Sequence, residues 1–435
     1  MTARNGAPAT RDIPEQRRIL AVLVFSQILS GAGLAAGITV GALLAEEMLG
    51  STGLAGVPSA LFTAGSALGA VAIGRICRRW GRRPGLALGY GAGALGSLGV
   101  VAAAAVDSAP LLFVGLLVYG AGTATNLMAR YAGADLASPA RRGRAVSTVL
   151  FATTLGAVVG PNLVTLTGRL AHSWGIPRLA GPFLLATAAF GAAAIALAVL
   201  LRPDPLRLAQ ALAEKAAQGA DGAPGADDRT AAPPPRRGQV VMGTLVMVLT
   251  QLVMIAIMTM TPVHMRAHGH GTQEAGFVIA LHVGAMFLPS PLTGLLVDRV
   301  GRLWTAAASG VTLLAAGALA ATASPHSVPA LAAALVLLGL GWNFGLVSGT
   351  AIVTDALPPA NRAAAQGLVD VGIAVAGAAG GASSGLIVVA GGFPTLALSG
   401  GILALAIVPL VAWAARRPAA TVSATAAPRT ETERA

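Results

Sequence analysis

The chain is short of nearly everything that a soluble, disulfide-stapled or catalytic domain is built from. Cys77 is the only cysteine in 435 residues, which excludes an intramolecular disulfide and any cysteine-based metal site. Charged residues make up 11%, against about 25% in an ordinary soluble domain. Aromatic residues are scarce at 4%. Lysine is reduced to Lys215; every other basic residue is arginine, which with abundant Ala and Gly suggests a GC-rich bacterial genome. There is no nucleophile–base pair, phosphate-cradling loop or ATP-binding motif, so the chain does not read as an enzyme and calls for no cofactor. His264, His268 and His270 cluster, but with only Glu274 nearby they read as exposed loop residues, and no metal is expected.

What the chain has is apolar length: 55% of its residues are hydrophobic. Crossing the hydrocarbon takes about 20 mostly apolar residues. Twelve such stretches run at roughly 19–44, 54–74, 84–106, 110–134, 145–168, 180–201, 239–262, 275–297, 303–323, 328–354, 364–390 and 394–415. They lack the strict alternation of barrel strands, so the expected fold is all-α with twelve transmembrane helices. Residues 1–18 form an N-terminal tail with no removable signal, and 19–202 hold the first six spans. A Pro-, Gly- and Ala-rich linker follows at 203–238, with room for a short helix at 206–217. Residues 239–415 hold the other six spans, and 416–435 form a tail that reads as disordered.

All but four of the 29 basic residues then lie on one side of the membrane. Arg169, Arg178 and Arg266 lie on the other, and Arg130 falls within a span. Short arginine-rich loops stay inside, which puts both termini in the cytoplasm of a bacterial inner membrane. The net charge of +12 follows from that topology and from contact with lipid headgroups, so no nucleic-acid partner is implied.

A ten-residue pattern occurs twice, 220 residues apart. The first copy is Gly74-Arg75-Ile76-Cys77-Arg78-Arg79-Trp80-Gly81-Arg82-Arg83, and the second is Gly294-Leu295-Leu296-Val297-Asp298-Arg299-Val300-Gly301-Arg302-Leu303. The same offset pairs Asp135 with Asp355, Pro139 with Pro359 and Arg142 with Arg362. One shared offset across two separated loops indicates an internal duplication, which in membranes usually belongs to a transporter.

Six spans, a long cytoplasmic linker and six more, with Gly-x-x-x-Asp-Arg-x-Gly-Arg after the second and eighth spans, resembles the major facilitator superfamily, and in particular its drug:proton antiporter branch. The resemblance covers nearly the whole chain. It implies a monomer of two pseudo-symmetric six-helix bundles that rock about a central cavity and carry a small molecule. In that family the repeated loop is a conformational latch. Its acid faces a helix N-terminus of the other half, where the dipole favours a carboxylate, and its arginines pair with an acid ending the fourth or tenth helix. The latch residues here are Gly74, Arg78, Arg79, Gly81 and Arg82 with Asp135, and Gly294, Asp298, Arg299, Gly301 and Arg302 with Asp355. Arg82 and Arg302 are the expected partners of the two acids.

The first copy departs from the family pattern, because Arg78 stands where an Asp is usual. Asp370, in the second turn of the eleventh span, is expected to pair with it by a charge swap. A competing role for Asp370 is that of proton carrier, since a carboxyl held in an apolar site binds a proton more readily. In the fifth span Gly156, Gly160 and Pro161 resemble the antiporter signature, although Val164 replaces a further Gly. Close helix packing by small residues accounts for the same segment without any such role.

Arg130 and Asp370 are the only full charges inside the spans. Such residues are costly in lipid and point to a cavity or a partner. Arg130 shares a helical stripe with Tyr119, Thr123 and Asn126; it either lines the pathway or snorkels to the headgroups. Gln27 and Gln251 occupy matching places in the first and seventh spans. With Asn126 and Asn343 they predict an uncharged hydrogen-bonding site, walled by Met254, Met258, Met286 and Phe287. His282 is a second proton-coupling candidate, or else a structural hydrogen-bonder. The expected activity is proton-coupled efflux of small, largely apolar molecules, as in multidrug resistance. The alternatives are a proton-linked importer of a polar nutrient, which the few aromatics disfavour, and a transport-inactive relative.

Overall fold

The computed structural model describes residues 13–49, 57–221 and 236–416. The tails before 13 and after 416, residues 50–56, and residues 222–235 of the expected linker lie outside the described residues. Every regular element among them is helical: α1 (Pro14–Leu49), α2 (Val57–Trp80), α3 (Arg82–Ala105), α4 (Ala109–Ala134), α5 (Arg142–Ser173), α6 (Gly181–Leu200), α7 (Pro205–Asp221), α8 (Arg237–Ala267), α9 (Thr272–Phe287), α10 (Ser290–Arg299), α11 (Arg302–Thr322), α12 (Val328–Ala356), α13 (Pro359–Leu405) and α14 (Ile407–Arg416). Ten stretches among them are long and apolar enough to cross a membrane.

Proline and glycine decide where these helices break. The eighth predicted span divides into α9 and α10 at Leu288–Pro289, with Pro291 the second residue of the second piece. Proline removes a backbone donor and crowds the preceding turn, which interrupts the ladder. The eleventh predicted span and the first part of the twelfth are continuous in α13 except at Gly392, whose φ of 80° no helix accepts, followed by Pro394, and the twelfth ends in α14. The linker helix α7 is longer than expected and reaches Asp221.

Gly81 and Gly301 have φ of 98° and 114°. They separate α2 from α3 and α10 from α11 at the same place in each loop copy. Glycine reaches that region without a Cβ penalty, which accounts for its presence in both copies.

Apolar packing gathers mainly within each run of six spans. One cluster holds Ile19, Leu23, Tyr90, Phe183 and Phe190; another holds Met247, Met254, Leu313, Leu338 and Phe393. Lipid is as apolar as leucine, so helix association here depends on close fit and hydrogen bonds. Two crossings join the two runs. Gly74 of α2 lies against Ala363 and Gly367 of α13, and Gly294 of α10 lies against Gly143 and Ser147 of α5. These are the same positions displaced by the repeat. A Cβ at either glycine would press on the opposing backbone, so the crossings require glycine to close.

Candidate functional site

At the end of the molecule that carries both loop copies, the two runs of helices are tied together. Arg82 Nε donates to Asp135 Oδ2 at 2.8 Å, and both side chains are fully buried. The same guanidinium donates to the Gln366 side chain of α13, whose amide continues to Thr354 Oγ1 at 3.2 Å. Arg362 donates to the Asp135 carbonyl at 3.2 Å. On the other side Arg302 and Arg142 both hold Asp355. Asp298 accepts from the Gly143 and Arg144 amides at 2.8 and 3.1 Å, and from Arg144 Nε at 3.1 Å. A carboxylate there satisfies amides that the first turn of α5 leaves open and meets the positive end of its dipole.

The expected Arg78–Asp370 pair does not form. Arg78 is exposed on the last turn of α2, while Asp370 is buried and accepts on Oδ1 from Arg130 Nη2 at 2.7 Å and from the Tyr131 hydroxyl at 3.2 Å. The reason is the cost of buried charge. Arg130 is itself fully buried, and an ion taken out of water needs a counter-ion close by. Burial also removes the snorkelling option for Arg130. Its Nε donates to Thr350 Oγ1 at 2.9 Å, and its guanidinium lies 4.2 Å from the Tyr131 ring centroid. Asp370 Oδ2 has no hydrogen-bond partner among the described residues.

The other singled-out polar residues fall into two groups. Gln27 is fully buried, donates to the Asn126 carbonyl and to Thr153 Oγ1, both at 3.1 Å, and accepts from the Tyr90 hydroxyl. Asn126 donates to Ser30 Oγ at 2.8 Å. Tyr119 donates to the Gly33 carbonyl at 3.0 Å among the rings of Phe62, Phe183 and Phe190. These groups lie between helices rather than on a wall. Asn343 is also fully buried; it donates to the Met286 carbonyl and to Ser290 Oγ, both at 2.7 Å, across the α9–α10 break. Gln251 differs. It is half-buried and accepts from Trp342 Nε1 at 2.7 Å, and Trp342 meets Phe287 edge-on at 5.5 Å.

His282 is fully buried, with Nδ1 2.8 Å from the Leu335 carbonyl of α12 and Nε2 without a hydrogen-bond partner among the described residues. Gly156 lets α5 touch the α1 backbone at Ile28 and Ala32; Gly160 is buried, and the side chain of Pro161 lies outside the described residues. Among the described residues no group of three or more His, Cys, Asp or Glu is placed to hold a metal ion. Tyr90, Ser30, Thr153, Tyr131 and Trp342 were not singled out in the sequence. The lone Tyr90 in a Gly- and Ala-rich span was the one readable sign.

A helical membrane protein whose internal repeats meet at matched glycine crossings and arginine–carboxylate ties is a multi-pass transporter rather than an enzyme. The chain belongs to the Major Facilitator Superfamily, whose profile matches residues 23–289 and 243–433. It is 53% identical over 411 residues to YddS, an uncharacterized MFS-type transporter of Bacillus subtilis (strain 168), covering 93% of this chain and 94% of that protein. It is 32% identical over 364 residues to the riboflavin transporter RfnT of Brucella anthropi, covering 82% and 86%. The fold is similar to that of the human organic anion transporter MFSD10, with a TM-score of 0.73 at 16% identity over 92% of this chain and 100% of that one. It is also similar to the E. coli fucose:proton symporter FucP, with a TM-score of 0.66 at 14% identity over 91% and 98%. The chain is therefore a secondary transporter.

Proposed function

We propose that this transporter is a monomeric, proton-coupled exporter of small, uncharged, largely apolar molecules in a bacterial inner membrane. Its spans number twelve: the ten apolar stretches, the last of which folds at Gly392 into two spans, the second completed by α14, and α5. They form bundles over 19–202 and 239–415, with both termini in the cytoplasm. The observation that carries the reading is the buried Arg130–Asp370 pair, which joins α4 to α13 and so must break when the cytoplasmic ends separate. Neutralising one member of such a pair leaves the other charge buried without its partner, at about 3–5 kcal/mol. A proton on Asp370 therefore destabilises the closed end and favours its opening.

The cycle follows. With the cytoplasmic end closed, a proton from outside binds Asp370 at Oδ2, the oxygen without a hydrogen-bond partner. The neutral acid no longer holds Arg130, and the cytoplasmic ends part. The proton leaves to the cytoplasm, substrate enters from the same side, and the restored carboxylate pairs again with Arg130 as the substrate is delivered outside. The half-buried Gln251 and Phe287, both against the buried Trp342, offer an apolar corner with one amide edge and no charge, which suits adaptable binding.

Uptake of a flat, hydrogen-bonding nutrient is the second reading, favoured by the 32% identity to a protein named as a riboflavin transporter. Proteoliposomes holding a pH-sensitive dye separate the two. Riboflavin and a panel of apolar dyes are applied under an imposed pH gradient. Export by antiport predicts proton movement opposite to substrate; movement in the same direction supports uptake by symport. No substrate-dependent flux under any gradient would leave a transport-inactive membrane protein.

A further inference from the structure

The first loop copy lost its acid at Arg78, yet its glycine is not bare. A Cβ added at Gly81 would run into the carboxylate of Asp204, whereas one added at Gly301, the matching glycine of the second copy, would meet nothing within 4 Å. Asp204 comes from the segment joining α6 to α7, far from the motif in sequence. One of its oxygens, Oδ2, accepts from the Arg83 amide in the first turn of α3 at 2.7 Å. The other, Oδ1, accepts from the Leu206 and Arg207 amides that open α7, at 3.0 and 3.1 Å. A single carboxylate thus caps two helices, and each of those amides lacks a partner within its own helix.

The helix so anchored crosses to the other half. Arg207 donates to the Arg79 carbonyl at the end of α2. Leu206 and Ala209 are buried in the same apolar cluster as Ala363 of α13, and Gln210 Nε2 reaches the Pro359 carbonyl at 3.5 Å, the loosest of these contacts. We propose that Asp204 and α7 form a strap that supplies, at the first loop, the closure that Asp298 supplies at the second, with Asp204 as a positioning residue of the cytoplasmic gate. In both places a carboxylate caps a helix and draws the two halves together. At the second loop it does so directly, on α5. At the first loop it fixes α7, and α7 makes the crossing. The proposal rests on the alternating-access reading above, but not on the substrate, the coupling ion or the direction of transport.

The test uses the full chain in lipid nanodiscs with Cys77→Ala, and spin labels at Arg75→Cys and Asn361→Cys, both exposed positions flanking the first crossing. Pulsed spin-label distances report how often that crossing opens. Asp204→Ala is expected to raise the long-distance population about five-fold, the equivalent of one lost cap. Gln210→Ala is expected to raise it less, and Asp204→Asn, which keeps acceptor oxygens, less than Asp204→Ala. A label pair flanking the second crossing, at Ala140 and Leu295, is expected to stay unchanged. Unchanged distances at the first crossing in both Asp204→Ala and Gln210→Ala overturn the strap, and so does an equal shift at both crossings, which marks general loosening. If Asp204→Ala does not fold, Gln210→Ala decides alone: a shift supports the strap and no shift overturns it. Failure of substrate flux in the wild type with the distance shift intact counts against the proposed function and leaves the strap standing.

Discussion

Around the second loop the tie between the halves buries its acids and leaves two of its arginines partly in water: the Asp298 and Asp355 side chains are 2% and 17% exposed, those of Arg144 and Arg302 47% and 28%. Asp298 caps α5, Arg144 flanks it with half of its side chain exposed, and Arg302 and Arg142 share Asp355. Around the first loop the corresponding acid is missing, and the charges that join the halves lie deeper. Arg82, Asp135, Arg130 and Asp370 are all buried, linked through Gln366 and Tyr131. A tie whose cations reach water exchanges partly for hydration, so it opens at smaller cost than one with both charges buried. A buried pair is held until one charge is neutralised. On the proposed cycle, one side is a mechanical fastener and the buried pair on the other side is the element that takes the proton.

That contrast can be broken at several points. Arg130→Ala leaves the Asp370 carboxylate buried without its cation, at about 3–5 kcal/mol; purified protein should lose thermal stability by that order and transport should be abolished. Asp298→Ala removes the α5 cap at about 0.5–2 kcal/mol, and spin labels flanking the second crossing should show the closed population falling while the first crossing keeps its distances. The repeated glutamines extend the comparison. Gln27→Ala strips partners from Asn126 and Thr153 inside the packing and should lower the melting temperature with substrate affinity little changed. Gln251→Ala, on a half-exposed face, should instead weaken substrate binding by about 1 kcal/mol, read as a shift in Kd. The smallest effect is expected from Arg78→Asp, an exposed change within about 0.5 kcal/mol. Combining it with Asp370→Arg should rescue nothing relative to Asp370→Arg alone in a flux assay.

The helical fold and the loop positions were legible because apolar run length is a local signal and the repeated motif marks both loops. The acids Asp135 and Asp355 and their arginines could be picked out because the repeat marks both members of each pair with one offset. Asp370 shows where that reading stops. Its partner Arg130 is 240 residues away, and the loop motif drew attention to Arg78 although that side chain faces outward. Gln27 and Asn343 failed in a different way: a polar residue in mid-span has the same sequence pattern whether it lines a cavity or bonds a neighbouring helix. Trp342 was passed over because one aromatic in an apolar run carries no period, and only the fold sets it beside Gln251.

The most direct test of the account is the pH dependence of the first crossing, read from spin labels at Arg75→Cys and Asn361→Cys in the wild-type background and in Asp370→Asn. Ionised Asp370 holds Arg130 and favours the closed end, so closure is present at higher pH and lost as the acid takes up its proton. The wild type should open progressively as pH falls. Asp370→Asn, which mimics the protonated acid, should be open at every pH and indifferent to it. A wild type whose distances ignore pH, or an Asp370→Asn variant that keeps the wild-type response, would contradict the assignment of the proton to this pair.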